Sequence, residues 1–147
     1  MSDFITKIVP IKYDYIADEE QIQAAIMYIK EIVPDCQIGA EVFETTQFVD
    51  CGGELEKIKC PDCGEDISFD WWGAAMDAAE KEFPNLSVKL PCCGRDGSLN
   101  DLEYYLPCGF AGMEITIINM ERRFCEKELD KVGELLGEKI RIILARY

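Results

Sequence analysis

Residues 57–72 read KIKCPDCGEDISFDWW, a stretch that carries two closely spaced cysteines. Cys60 and Cys63 are separated by two residues, which lets both thiolates turn toward one metal ion. Pro61 sets the turn, and Gly64 supplies a backbone that can leave it. The stretch therefore predicts a metal-binding turn, or knuckle, built on this pair of cysteines.

A second pair of cysteines lies in residues 90–102, LPCCGRDGSLNDL. Cys92 and Cys93 are adjacent, and neighbouring side chains of a regular strand point to opposite faces. A strand must therefore end before them if both sulfur atoms are to reach one ion. Pro91 and Gly94 favour that ending, because proline removes a ladder hydrogen bond and glycine tolerates a turn. The second stretch thus predicts another turn that presents thiols.

Together the two turns supply the number of ligands that a closed zinc site needs. Structural zinc is tetrahedral with four ligands, and the chain contains no histidine. Carboxylates are the less favoured alternative. The predicted ligands of one structural Zn²⁺ are Cys60, Cys63, Cys92 and Cys93.

The two turns are not identical, which keeps the ligand assignment open. Laying CPDCG over LPCCG matches Cys63 with Cys93 but puts Leu90 where Cys60 stands. Cys93 is therefore the safer ligand of the second pair. The substitutes, if either adjacent cysteine fails, are Cys51 and Cys108.

The eight cysteines also allow interpretations without a metal. The N-terminus lacks the features of a secretory signal, so we expect a cytoplasmic protein with reduced thiols, where close clusters indicate metal binding or catalysis. A redox pair favours an electropositive setting, whereas Asp62, Glu65 and Asp66 surround the first pair with negative charge. A redox couple and an inert buried-thiol core stay as the alternatives.

The composition is typical of one globular domain spanning residues 1–147. Hydrophobic residues make up 48% and charged residues 30% of the chain, and no apolar run reaches the roughly 18 residues of a membrane helix. The net charge is −14, and residues 1–50 are the most acidic third. Because such a field repels phosphate backbones, we expect no nucleic-acid partner. Because no apolar run is long enough for a membrane helix, we also expect no membrane partner. The charge serves solubility, or forms an acidic face for a basic protein partner.

The first third of the chain predicts strand, helix and strand. The first strand lies within residues 3–16, where Pro10 indicates an edge or a bulge. In the helix that follows, Asp18 is the N-cap and Gln21 completes a capping box. The apolar face of this helix comprises Ile22, Ile26, Ile29 and Val33. Residues 37–50 predict the second strand.

The middle of the chain predicts a turn at residues 51–61, a second helix and a short strand. In DWWGAAMDAAEKEF, Asp70 is the predicted N-cap. The apolar stripe of this helix comprises Trp72, Ala75, Met76, Ala79 and Phe83. Residues 86–90, LSVKL, predict a strand that leads into the second pair of cysteines.

The last third again predicts strand, helix and strand. The strand within residues 104–120 is interrupted near Pro107 and Gly109. The third helix ends at Gly137, which suits a left-handed cap. Its predicted apolar face comprises Cys125, Leu129, Val132 and Leu136. Residues 138–147, EKIRIILARY, close the chain as a strand.

Strand, helix and strand thus flank the cysteine-rich segment on both sides. This order predicts an α+β fold with a ferredoxin-like split βαβ core. Residues 51–98 are the predicted insertion, a zinc-ribbon-like module with one helix, and no glycine- or proline-rich linker sets them apart. The zinc ion would hold together a segment that has few large apolar residues of its own.

The motifs CPDCG, DWWGAAMDAA, LPCCG, SLNDL, GFAG and LGEKIRIILARY together resemble a group of small, uncharacterised bacterial proteins. The resemblance covers residues 40–147, and the combination is specific although each motif alone is weak. It implies a bacterial source and no activity, because the group has none assigned. In that group the positions of Cys51 and Cys108 are not regularly cysteine, which makes both weaker ligand candidates.

Three further motifs have structural interpretations. Ser98 and Asp101 have capping-box spacing and predict a short helical turn. Trp71 and Trp72 are either core residues or an anchor for a partner, since tryptophan is enriched at interface hot spots. The tyrosine pair at 104–105 favours packing in the core.

The residues favour a protein without catalytic activity. Without histidine no Ser-His-Asp set exists, and CGFAG lacks the lysine and hydroxyl residue of a phosphate loop. A four-cysteine zinc site is closed and keeps no position for water. The sequence therefore predicts a non-enzymatic zinc protein that binds another protein. The alternatives are an immunity-type inhibitor of a basic effector, and a thiol-redox or metal-dependent enzyme.

Overall fold

A computed structural model describes residues 4–51, 55–80, 86–105 and 108–146. Within these ranges the chain is a mixed α+β fold with three helices and several antiparallel sheets. The helices are α1 (Glu19–Ile32), α2 (Phe69–Glu80) and α3 (Glu126–Leu136). The strands are β1 (Phe4–Pro10), β2 (Gln37–Val49), β3 (Lys57–Lys59), β4 (Asp66–Ile67), β5 (Ser87–Lys89), β6 (Asp96–Ser98), β7 (Glu103–Tyr105), β8 (Gly109–Ile118) and β9 (Ile140–Arg146). None of the helices in the described ranges has both the length and the apolar character needed to span a membrane.

The largest sheet has four strands in the order β2-β8-β1-β9, and each neighbouring pair is antiparallel. β1 is a central strand that pairs with β8 through Ile5–Ile8 and with β9 along its whole length. The β2–β8 register shifts between Val42 and Gln47. The strands predicted within residues 3–16 and 37–50 are confirmed.

Helices α1 and α3 pack on one face of this sheet. The capping box predicted for α1 is confirmed: the Gln21 N–H donates to Asp18 Oδ1 over 2.8 Å, and the Asp18 N–H donates to Gln21 Oε1 over 2.9 Å. α3 ends at Gly137, whose φ of 88° is the predicted left-handed cap. The core between helices and sheet includes Ile8, Ile22, Ala25, Ile29, Met113, Ile115, Ile117, Val132 and Leu136.

The described residues from Cys51 to Tyr105 form the cysteine-rich segment, which packs on the opposite face of the same sheet. Because strand residues alternate between faces, Val9 and Ile143 point away from the helices that cover Ile8. They share a second buried cluster with residues of the segment, among them Ile58, Cys60, Ile67, Leu86, Leu90, Leu99 and Tyr104. The four-stranded sheet is thus the middle layer, with α1 and α3 on one face and the cysteine-rich segment on the other.

Two small antiparallel sheets build the cysteine-rich segment. β3 lies between β4 and β7, and β5 pairs with β6. The Trp72 Nε1–H of α2 donates to the Tyr104 hydroxyl over 3.2 Å, and that hydroxyl donates to the Leu99 carbonyl over 2.6 Å. These bonds join α2, β7 and the turn after β6. The core role expected for the tyrosine pair is confirmed for Tyr104, whereas Tyr105 is exposed.

The prediction from Pro10 is wrong. β1 is not an edge strand, because it lies between β8 and β9, and its register with both strands is continuous. Pro10 is instead the last residue of the strand, beyond the ladder that Ile5–Ile8 forms with β8. A proline is tolerated at such a strand end because its missing N–H interrupts no interior ladder.

The predicted start of α2 is also wrong by two residues. The Ser68 hydroxyl accepts a hydrogen bond from the Trp71 N–H over 3.1 Å. Ser68 therefore caps the helix, and Asp70 lies inside its first turn, where a carboxylate suits the helix dipole. Phe83, predicted on the apolar stripe, lies outside the described residues, while Trp72, Ala75, Met76 and Ala79 pack against the core as expected.

Cys125 does not lie on the apolar face of α3. It is the exposed N-cap residue that precedes the helix. Its N–H donates to Glu128 Oε1 over 2.9 Å, which fixes the entry of the chain into α3. Val132 and Leu136 take the predicted inward positions and are fully buried, whereas Leu129 is half-buried.

Candidate metal centre

The first knuckle connects β3 to β4. The Gly64 N–H donates to the Cys60 carbonyl over 3.0 Å, and the Cys60 N–H donates to the Glu65 carbonyl over 2.9 Å. Gly64 has a φ of 77°, a conformation that glycine adopts without strain. The Cys63 N–H lies 3.5 Å from the Cys60 sulfur. The turn therefore directs both thiols to one side, and a backbone donor faces one of the sulfurs.

The second knuckle connects β5 to β6 by the same hydrogen bonds. The Gly94 N–H donates to the Leu90 carbonyl over 2.9 Å, and the Leu90 N–H donates to the Arg95 carbonyl over 2.9 Å. Gly94 has a φ of 71°. Residues 91–93 form the turn, so β5 ends before the two cysteines as the sequence predicts. Leu90 occupies the place that Cys60 occupies in the first knuckle.

The four thiol groups of the two knuckles converge. The sulfur atoms of Cys60, Cys63, Cys92 and Cys93 all lie within 4.8 Å of one another. Cys60 and Cys93 are 3.9 Å apart at sulfur, and Cys63 and Cys92 are 3.3 Å apart. With metal–sulfur bonds of about 2.3 Å, tetrahedral zinc separates its sulfur ligands by about 3.8 Å. The cluster has the donor number and spacing to hold a metal ion.

The four cysteines differ in burial. Cys60 is 1% exposed and belongs to the core shared with the sheet, whereas Cys63, Cys92 and Cys93 are exposed. Leu90 is 2% exposed and anchors the second knuckle in the same core. Each hairpin is thus held by one buried residue at the start of its turn. The cluster lies at the surface of the molecule with one of its thiols anchored inside.

Two of the thiols have shifted acidities. Burial acts to raise the pKa of Cys60, but N–H donors of Cys63 and Asp62 outweigh it, and the pKa falls from 9.0 to about 7. Contact with the Cys63 sulfur raises the pKa of Cys92 to about 12. Cys60 is therefore the thiol that ionises most readily, and its negative charge opposes the ionisation of Cys92. A divalent cation removes that opposition, because it stabilises each thiolate that it binds.

The surroundings of the cluster are acidic, as expected from the sequence. Asp62, Glu65 and Asp66 are exposed around the first knuckle. Lys59 Nζ lies 3.9 Å from Asp66 Oδ1, a surface ion pair of small energetic value. This setting does not resemble that of a thiol activated by positive charge.

Cys51 and Cys108, the predicted substitutes, form a separate buried pair. Among the described residues they are not members of the four-sulfur cluster. Burial raises the pKa of Cys108 to about 12, and contact with Cys51 adds to the shift. Arg141 Nη1 donates to the Cys108 carbonyl over 3.0 Å. Both thiols are core residues, and burial disfavours the ionisation of Cys108.

The sequence did not predict the structural role of Asn100. Asn100 is buried, its Nδ2 donates to the Ile11 carbonyl over 3.0 Å, and its Oδ1 accepts from the Phe110 N–H over 2.8 Å. Ser98 caps the short turn that carries it, by accepting from the Asn100 N–H over 3.2 Å, so the predicted helical turn is confirmed. Asn100 therefore ties the short turn after β6 to β8 and to the residue that follows β1. Its position inside SLND was the only signal in the sequence.

Comparison of the chain with protein-family models, with curated proteins and with solved structures gives no match.

Proposed function

We propose that the chain is a non-enzymatic zinc-binding protein whose Zn²⁺ is structural. Cys60, Cys63, Cys92 and Cys93 would hold the ion between the two knuckles. The observation that carries the proposal is the convergence of four sulfur atoms within 4.8 Å. A four-thiolate set leaves zinc no open position for water or substrate, so the ion would serve folding rather than catalysis.

The layering of the molecule supports a structural role for the ion. Cys60 and Leu90 both belong to the core that covers one face of the main sheet. An ion that joins the two knuckles would therefore fix two hairpins against that sheet. Strand order β2-β8-β1-β9 with two helices on one face supports a ferredoxin-like core, onto which the zinc-ribbon-like module packs.

Metal analysis of variants tests this proposal. The chain purified without chelator is expected to contain one zinc, and Cys63→Ser is expected to lose it. Cys125→Ser is the matched control, because Cys125 is also exposed but is the N-cap residue of α3 and not a member of the cluster. If the analysis finds iron instead of zinc, the proposed identity of the ion changes, since tetrahedral thiolate sites also suit iron. Loss of metal in Cys125→Ser, or metal retained in Cys63→Ser, contradicts the ligand set.

Thiol alkylation locates the ligands independently. With metal bound, iodoacetamide should modify Cys125 and spare the cluster. After chelation, Cys63, Cys92 and Cys93 should react, because all three are exposed. Cys108 should stay unmodified in both states, since it is buried and its pKa is raised to about 12. Equal labelling of the cluster in both states would show that these thiols hold no ion.

The proposed role of the protein is to bind a basic protein partner, in the cytoplasm of a bacterium. The net charge of −14 supports a cationic partner. Exposed acidic residues occur on α1 and on β2, among them Glu19, Glu20, Glu31, Glu41 and Glu44. Affinity capture on the zinc-loaded chain, eluted with a salt gradient, tests this role. An acidic partner that resists salt would contradict it.

A further inference from the structure

We propose that a cleft on the helix-covered side of the main sheet binds a small carboxylate with an apolar body. The cleft has a volume of about 450 Å³, which lies within the range of roughly 300–1,000 Å³ typical of small-molecule sites. It is lined by side chains that include Phe4, Thr6, Phe124, Leu129, Ile142 and Leu144. The cysteine cluster belongs to the segment on the opposite side of the sheet, so this is a separate site.

The floor of the cleft is the end of the β1–β9 ladder. Thr6 pairs with Leu144, and both lie on the face where Ile8 is covered by helices. Phe4, Ile142 and Leu144 are only half-buried, so the helices leave this part of the face incompletely covered. The polypeptide between β8 and α3 forms the wall on the other side. An apolar ligand body would complete the burial of this floor.

The mouth of the cleft carries two arginines in an acidic protein. Arg122 forms an ion pair with Glu128, which also accepts the Cys125 N–H over 2.9 Å. This hydrogen bond, aided by the arginine, holds the pKa of Glu128 below its usual range, so the pair persists at neutral pH. The rim is thereby fixed to the first turn of α3 before any ligand binds.

Arg123 is the group that would recognise the anion. Arg123 is exposed at the mouth, and no described carboxylate forms an ion pair with its guanidinium. A guanidinium presents a planar fork of donors that matches a carboxylate. Glu121 lines the same mouth and disfavours a second negative charge. The arrangement therefore fits a monoanion with an apolar body rather than a phosphate ester.

Nuclear magnetic resonance of the isotope-labelled, full-length, zinc-loaded chain tests the site. Decanoate is the aliphatic probe and naphthoate the aromatic one. At least one is expected to shift the amides of Phe124 and Leu144 saturably. The probe that binds more tightly shows whether the cleft prefers an aliphatic or an aromatic ligand. No saturable shift with either probe, or shifts confined to other surfaces, overturns the proposal.

Charge specificity is tested by matched ligands and matched variants. The alcohol and ammonium analogues of the tighter probe should bind at least about tenfold more weakly than the carboxylate, and Arg123→Gln should weaken binding of that carboxylate by about tenfold. Lys131→Gln is the control, because it removes the same charge from an exposed position of α3 that does not line the cleft. Equal weakening by both substitutions, or an alcohol that binds as tightly as the carboxylate, would contradict recognition by Arg123.

Discussion

Leu90 and Cys60 occupy equivalent places in the two knuckles. Each carbonyl accepts a hydrogen bond from the glycine four residues later, over 2.9 Å and 3.0 Å, and each side chain is buried. The second knuckle therefore has an apolar anchor where the first has a thiol. Its extra sulfur comes from Cys92, which matches Asp62 of the first knuckle and is exposed. The two hairpins have the same backbone hydrogen bonds, but their cysteines stand at different positions of the turn.

This equivalence predicts that a ligand can be moved within the second knuckle. Cys92→Asp alone should weaken zinc binding, because a carboxylate replaces a thiolate. Adding Leu90→Cys should restore it, since the new thiol would stand where Cys60 stands in the first knuckle. Competition with a chromophoric chelator measures both affinities. The equivalence is wrong if the double variant binds zinc no better than Cys92→Asp.

Removal of zinc should destabilise the cysteine-rich segment. At about a thousandfold excess over its dissociation constant, zinc stabilises the folded chain by about 4 kcal/mol, or roughly 10 °C in melting temperature. Cys63→Ser should lose this difference, whereas Cys125→Ser should melt within about 2 °C of the parent, because serine is a good N-cap. Differential scanning calorimetry with and without zinc measures the effect. Hydrogen exchange in Cys63→Ser should increase first in β3 to β6, and an increase confined to α1 would contradict the assignment.

Zinc binding should release protons, and the number should depend on pH. Zinc binds thiolates, so each thiol that is protonated in the metal-free chain loses a proton. Cys92, with a pKa of about 12, supplies one throughout the neutral range. Cys60 supplies one only below its pKa of about 7, so the released number should fall as pH rises through that value. Titration calorimetry in buffers of different ionisation enthalpy counts the protons. A constant count between about pH 6 and pH 8 would contradict the lowered pKa of Cys60.

Association with a basic partner should be sensitive to salt. Four thiolates and one zinc ion add two negative charges to a chain that already carries −14. The Debye length shrinks from about 30 Å at 0.01 M to about 10 Å at 0.1 M ionic strength. The association rate of a captured partner should therefore fall clearly across that range, as stopped-flow mixing would show. An unchanged rate would leave the exposed Phe69 and Tyr105 as the better contact residues.

The sequence predicted a structural element correctly where only one residue or motif fitted the role. Asp18 and Gln21 fit a single helix start, and the spacing of Cys60 and Cys63 fits a single turn. The start of α2 was misjudged because Ser68 and Asp70 are both good caps, and the choice depends on where β4 ends. Local pattern does not determine that point.

Long-range relationships were beyond the reach of local patterns. β7 pairs with β3, although about forty residues separate them in the chain, and no periodicity in EYY indicates that pairing. The overlay of the two knuckles did mark Leu90 as the counterpart of Cys60. Its role as a core anchor depends on the main sheet behind it, which brings Val9 and Ile143 into the same cluster.

X-ray absorption at the zinc edge measures directly which atoms bind the proposed ion. The measurement is made on the chain purified without chelator, with Cys125→Ser as the control for an uninvolved thiol. We expect one zinc per chain with four sulfur neighbours at about 2.3 Å and no nitrogen or oxygen bound to the ion. Absence of zinc, or a first shell that contains oxygen or fewer than four sulfurs, would contradict a closed site built from Cys60, Cys63, Cys92 and Cys93.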